Sequence, residues 1–255
     1  MVLRKTAAAL LLMVCPAVAE EKPPGTLKIL CWNIHHGVGL DKKLDLPRIA
    51  AVIRAQDPDI VALQEVDRGC RRSANTDQAV ILGELTGLKP AFGEAMPYDG
   101  GSYGQAILSK HPIASTEVIR LSQNQEPRIG FRAEVLHPAG PVTLVSIHFD
   151  YRSLESRLAE GANLLKALEA ISGPLVVAGD LNDVPGSATL ALFKAPWEKV
   201  LLKAPSSSFP AREPVKEIDH IFQRALVVTD EASVIDERIA SDHRPITAVL
   251  KFRAE

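Results

Sequence analysis

The sequence predicts a single layered α/β domain, and three observations carry that prediction. Short apolar segments of strand type recur from residue 27 to residue 252, and segments with helical periodicity fall between them. No repeat, low-complexity tract or linker divides the chain. At 255 residues, 46% of them hydrophobic and 24% charged, it is long enough to bury a sizeable core.

The elements follow in order. Residues 27–33 form an apolar run that suits a buried strand ending in polar residues. Residues 46–55 carry apolar side chains at helical spacing, with Pro47 in a first turn where its missing N–H costs nothing. Asp57-Pro58 ends that helix, and residues 60–63 read as a second buried strand running into Gln64-Glu65. Strand, helix, strand is the opening of an α/β fold. After a polar loop with Arg71 and Arg72, residues 78–86 read as a helix. The stretch 93–104, with four glycines and Pro97, reads as a loop, and 106–109 as a strand punctuated by Pro112. Residues 131–136 and 142–148 predict a hairpin turning at 138–141. Residues 153–171 have helical periodicity, with Leu154, Leu158, Leu165 and Leu168 near one face. A buried strand at 175–178 ends at Gly179-Asp180, and further strands are expected at 218–222, 225–228 and 246–252.

The N-terminus carries a different signal. Arg4 and Lys5 precede an apolar run at 7–14 and the site Ala17-Val18-Ala19, which together read as a signal peptide over 1–19, cleaved before Glu20. The run is too short to span a bilayer. Residues 20–26 read as a disordered lead-in, which leaves 27–255 as the domain, exported to the periplasm or medium with no membrane span in the mature protein. Cys31 and Cys70 lack the paired spacing of a zinc site and read as separate thiols. With 29 Lys and Arg against 31 Asp and Glu, the net charge is −2. That balance argues against a protein living by non-specific attraction to nucleic-acid phosphates, but leaves a specific phosphate substrate open.

Chemistry is concentrated where apolar strands end. Asn33, Glu65, His148, and Asp180 with Asn182 each follow such a strand; Asp242-His243 follow the last long loop, and Asp219-His220 lie inside residues 218–222. Strand ends can hold side chains convergent on one cleft. Carboxylate and amide oxygens from Glu65, Asp180, Asp242, Asn33 and Asn182 favour Mg²⁺, Mn²⁺ or Ca²⁺ over zinc or copper. His148 and His243 can move protons near neutral pH. Taken singly, Asn33 could cap a turn, Glu65 and Asp67 could be solvated strand-end charges, and His148 could be a satisfied core histidine. Taken together and in order, they describe in-line attack of water on a phosphoester. Trp32 and Phe149 read as core, and His36 and His220 as scaffold.

At these residues the sequence resembles the endonuclease/exonuclease/phosphatase superfamily. The matching stretches are Cys31-Trp32-Asn33-Ile34, Leu63-Gln64-Glu65-Val66, Gly104 to Ser109, Ser146 to Phe149, Gly179-Asp180-Leu181-Asn182, Ile218-Asp219-His220-Ile221 and Ser241-Asp242-His243-Arg244-Pro245, in the family's order across nearly the whole mature chain. The resemblance implies a four-layered α/β/β/α sandwich of two packed mixed sheets flanked by helices. It implies Glu65 as the main ligand of a Mg²⁺ or Mn²⁺ ion, with Asn33 and Asp242 assisting, and Asp180 and Asn182 orienting the water and a phosphate oxygen. His243, aligned by Asp219, or else Asp180, would take the proton from water; His148 would be the acid or transition-state donor. His35 stands where some relatives place an acid and is a candidate for the metal or phosphate; Arg128 and Gln105 are candidate substrate contacts. The implied activity is hydrolysis of a phosphate ester of a small molecule, lipid headgroup or nucleic acid, with no stable protein partner. A secreted DNA or RNA nuclease is the nearest alternative, and a binding protein that has lost catalysis a more distant one. Substrate choice is expected in loops 67–78, 93–104 and 203–216.

Overall fold

The computed structural model describes residues 25–253. The signal-peptide reading and most of the lead-in lie outside these residues; Thr26 already opens the first strand. Two six-stranded sheets face each other. The first contains β1 (Thr26–Asn33), β2 (Ile60–Arg68), β3 (Lys89–Tyr98), β4 (Gly101–Ser109), β11 (Leu226–Val234) and β12 (Ile246–Phe252), in the order β11-β12-β1-β2-β4-β3. The second contains β5 (Ile113–Arg120), β6 (Ile129–His137), β7 (Gly140–His148), β8 (Leu175–Asp180), β9 (Glu198–Lys199) and β10 (Asp219–Arg224), in the order β5-β6-β7-β8-β10-β9. Each sheet has a parallel pair at its centre, β1 with β2 and β7 with β8. Parallel neighbours need a crossover, and α1 (Leu46–Gln56) and α3 (Leu154–Leu168) supply the two.

Strand alternation sorts the apolar side chains into layers. Ile29 and Cys31 of β1, with Ile60 and Ala62 of β2, point to the seam between the sheets, where they meet Phe131, Leu144, Val176 and Ala178. Leu30, Trp32, Val61 and Leu63 point the other way, onto Ile49 and Ile53 of α1 and Leu82 of α2 (Gln78–Thr86). Val145, Ile147 and Val177 of the second sheet likewise turn outward, against Leu164 and Leu168 of α3 and Leu190 of the short α4 (Ala188–Ala191). Helix, sheet, sheet, helix is the expected four-layered sandwich.

Local chemistry sets the element ends. Asp45 accepts from the Arg48 N–H at 2.9 Å ahead of Pro47, and Asp57 closes α1 in the left-handed region at φ 43°. Asp77 caps α2 through Val80, and Ser153 caps α3 through Ser156.

One reading is overturned. Residues 93–104 are not a loop but most of the β3–β4 hairpin, turning at Asp99-Gly100. Their glycines serve close approach more than turning: a Cβ on Gly93 would meet the Phe131 ring at 2.3 Å, and one on Gly104 the Gly93 carbonyl oxygen at 2.0 Å. Strand β5 was not expected either, because it is a mostly exposed edge without an apolar alternation.

Candidate active site

The strands named above converge at one end of the sandwich. In the parallel pairs Asn33 lies beside Gln64 and His148 beside Asp180; in the antiparallel pair Asp219 lies opposite Asp180. A bulge in β2 does the remaining positioning. Leu63 pairs with Ala106 and Val66 with Gly104, so Gln64 and Glu65 together oppose Gln105. Glu65 takes the left-handed conformation, φ 56°, which is costly for a residue with a Cβ, on the order of 1–2 kcal/mol. The bulge leaves Gln64 at the sheet seam, donating to Ser146 Oγ at 2.9 Å, while Glu65 lines the cleft.

Asp180 is the hub. Its Oδ2 accepts from Asn33 Nδ2 at 3.3 Å and lies 3.6 Å from Nε2 of both His148 and His243; its Oδ1 accepts from the Asn182 N–H at 2.8 Å. Burial raises the Asp180 carboxyl to about 7, the nearby His243 working against the rise and Asp219 adding to it. His243 Nδ1 donates to Asp219 Oδ2 at 2.8 Å, and Ser208 Oγ donates to the same oxygen at 2.5 Å. Burial opposes charge on His243, but Asp219, Asp180 and Asp242 outweigh it and lift the imidazole to about 10. Trp32 Nε1 donates to the His243 carbonyl at 2.9 Å, so this core residue also anchors the loop that carries His243.

His148 is held in the opposite state. Arg128 Nη1 lies 3.0 Å from His148 Nδ1. A guanidinium can only donate, so Nδ1 carries the lone pair and Nε2 the proton. Burial, then Arg128 and His243, keep its pKa well below the usual 6.5. The Nδ1 side of His148 faces a cation rather than an acid, while its Nε2 lies 3.6 Å from Asp180. Arg128 is itself buried and paired with Glu126 at 3.0 Å.

The residues fit a hard divalent cation in part as expected. Glu65 and Asp242 both line the cleft, and burial and then the Asp242 charge, against the Asn33 hydrogen bond, raise the Glu65 pKa. A cation between two such carboxylates would relieve both. Asn33 is arranged otherwise: its Oδ1 accepts from the His35 N–H at 3.1 Å, and its Nδ2 donates to Glu65 Oε1 at 2.9 Å. In this arrangement Asn33 orients Glu65 and Asp180 through its amide nitrogen, while its Oδ1 keeps a second lone pair.

Gln105 stays out of the main cleft, donating to the Ile129 carbonyl at 2.7 Å behind Arg128. His35 sits beside Glu65 rather than on the cleft wall, and His220 is scaffold, its Nε2 2.9 Å from the Asp183 carbonyl. Cys31 and Cys70 are separate buried thiols. Arg71 and Arg72 divide: Arg71 is 73% exposed, while Arg72 makes two 2.8 Å bonds to fully buried Asp67 and lies 4.4 Å from the centre of the Tyr98 ring. The cleft holds about 550 Å³ and has Met96, Tyr98, Tyr103, Tyr151 and Phe209 in its walls. Met96, Tyr98, Tyr103 and Phe209, like Ser208, fall in the stretches 93–104 and 203–216 that the sequence marks for substrate choice; Tyr151 had no motif to mark it.

The profile of the endonuclease/exonuclease/phosphatase family matches residues 30–243. The chain is 26% identical over 245 residues to the uncharacterized protein YbhP of Escherichia coli K12, covering 88% of this chain and 95% of that one. A crystal structure of an endonuclease/exonuclease/phosphatase from Beutenbergia cavernae superposes with a TM-score of 0.72 at 27% identity, over 89% of this chain and 72% of the other. The mannosyl-6-phosphatase Bt3783 of Bacteroides thetaiotaomicron shares the fold at a TM-score of 0.72 and 17% identity, over 89% of this chain and 100% of the other. By the family profile's match over residues 30–243 the chain belongs to the endonuclease/exonuclease/phosphatase family, whose members are phosphoester hydrolases and generally depend on a divalent metal.

Proposed function

We propose that this protein is an exported, metal-dependent hydrolase of phosphate esters, in which Asp180 takes the proton from the attacking water. The observation that carries this reading is the environment of Asp180 Oδ2, 3.6 Å from the Nε2 atoms of His148 and His243, two imidazoles whose surroundings push their pKa values in opposite directions. With Asp219 and Asp180 against it, His243 stays an imidazolium and is better suited to hold a phosphate oxygen than to accept a proton. Asp180, raised to about 7, has the affinity a general base needs near neutral pH. His148, neutral and protonated on Nε2, donates a hydrogen bond to charge developing on the phosphoryl group. Asn182, whose Nδ2 donates to the Phe149 carbonyl at 3.0 Å, turns its Oδ1 free to orient water. A Mg²⁺ or Mn²⁺ ion held by Glu65 and Asp242 would neutralise phosphate oxygens and the leaving oxygen.

A cleft of about 550 Å³ with aromatic walls suits one phosphate ester and a mid-sized organic group. With the near-neutral charge it favours a small or headgroup-sized substrate over a nucleic-acid duplex. The test is a metal-supplemented panel on the purified mature protein: bis-p-nitrophenyl phosphate, sugar and inositol phosphates, sphingomyelin, RNA and plasmid DNA. Turnover of at least one ester, abolished by chelation and by Asp180→Asn, is expected. Full turnover after exhaustive chelation overturns the reading. Glu65→Gln should raise the metal concentration needed for half activity; an unchanged titration removes Glu65 from the metal set.

A further inference from the structure

We infer that His35, His36 and Glu65 form a binding site for a divalent transition metal ion of the imidazole-taking class, typified by zinc. The inference rests on the proposed function only in taking Glu65 as a metal-facing carboxylate. Ligand atoms of the three side chains all lie within 4.8 Å of one another. Two imidazoles and one carboxylate, with a coordination position left open, are a donor set that zinc takes. It differs from the oxygen set of Glu65 and Asp242.

Features of the backbone and rings support a built site. His35 Nδ1 is 3.0 Å from the Val38 carbonyl, which can only accept, so the Nδ1 proton is fixed there and Nε2 keeps its lone pair. That second contact is the one metal-bound histidines commonly make. His36 Nδ1 is buried with no hydrogen-bond partner, a cost that a ligand would remove. The two rings meet edge to face, centroids 4.4 Å apart. Both residues hold left-handed backbone, φ 46° and φ 43°, in a turn over His35–Gly37. Buried Gln78 of α2 pins that turn by donating to the His36 carbonyl at 2.7 Å. Consecutive non-glycine residues in this region are costly, and such strain persists only where the surroundings impose it. Because Glu65 belongs to both donor sets, a zinc-class ion and Mg²⁺ compete for it.

Cobalt(II) is the probe, since its visible absorption reports ligand type directly. The mature full-length protein, stripped of metal, is titrated with Co²⁺, as are His35→Asn, His36→Asn, Glu65→Gln and Asp242→Asn. Asparagine is chosen because it tolerates left-handed backbone; melting temperature in chelator checks that each variant folds. One Co²⁺ per chain with nitrogen-ligand absorption bands is expected in the wild type, displaced by Zn²⁺. Each histidine variant and Glu65→Gln should weaken Co²⁺ by at least about tenfold, and Asp242→Asn, which removes a nearby charge but none of the three ligands, should weaken it less than either histidine variant and leave the nitrogen-ligand bands in place. Electron spin-echo measurements on bound Cu²⁺ give a second readout in the unaltered protein, through coupling to imidazole nitrogen. No nitrogen coupling, or equal Co²⁺ affinity in folded His36→Asn and wild type, overturns the inference. Mg²⁺-driven hydrolysis in that case would leave the proposed function standing; histidine-dependent Co²⁺ binding without any hydrolysis would do the reverse.

Discussion

Replacing Asp219 by Asn removes one charge from the pair that keeps His243 cationic while preserving shape. The carboxylate oxygen lies 2.8 Å from His243 Nδ1, and Ser208 donates to the same oxygen. Taking about 4 Å between the centres of charge and an effective dielectric constant of about 20, the lost attraction is roughly 4 kcal/mol, or close to three pH units in the imidazole's affinity for its proton. Asp180 and Asp242 still hold His243 up, so the expected fall is from about 10 to somewhat above 7. Two measurements read it. NMR titration of the His243 ring reports the pKa without any substrate. The pH profile of kcat/KM should lose its alkaline limb earlier, because activity needs His243 protonated and Asp180 ionised; the acid limb, set by the Asp180 pair near 7, should move less. A bound cation at Glu65 lowers both limbs. At neutral pH the loss in kcat should be smaller than the about 10²–10⁴ expected for His243→Ala, which deletes the group. Stability carries the same sign. A group raised from 6.5 to about 10 on folding stabilises fully below pH 6.5, and that contribution is lost as pH rises toward 10. Asp219→Asn should flatten this slope. A His243 pKa and alkaline limb unchanged in Asp219→Asn would refute the reasoning.

Arg128→Leu should let the His148 pKa rise, since the guanidinium is one of the causes holding it down, and free its Nδ1 to carry a proton. NMR of the ring nitrogens checks the tautomer, and an unchanged spectrum would show that Arg128 does not set it. Arg72→Ala should cost about 3–5 kcal/mol in urea unfolding, because it strands the buried Asp67 carboxylate, while Arg71→Ala should cost no more than about 0.5. Equal effects would mean Asp67 is satisfied without Arg72. Intact mass of protein recovered from the periplasm or medium should match a chain starting at Glu20; a full-length product retained in the cytoplasm would contradict export.

The order of elements was legible because burial leaves a mark: the continuous apolar runs of β1 and β2, covered on both faces, and helical spacing in α1 and α3, are written in which residues are apolar. The main site positions were legible for a related reason, since strands stop being apolar where they reach the cleft, as at Asn33, His148 and Asp180. The β3–β4 hairpin was not, because its glycines mark close contact with Phe131 and with the neighbouring strand, and a contact between distant segments leaves no local period. The direction of side chains was likewise hidden. Asn33, Glu65 and His35 are close in kind to what the sequence suggests, yet only the β2 bulge aims Glu65, and only the His35 N–H turns the amide oxygen of Asn33 away from it. Protonation was decided by tertiary structure alone. His148 and His243 are the same residue type, yet burial beside Arg128 empties one of charge while Asp219 and Asp180 fill the other. Charges act through space over a few ångströms, and which charges come that close is a property of the packed sheets.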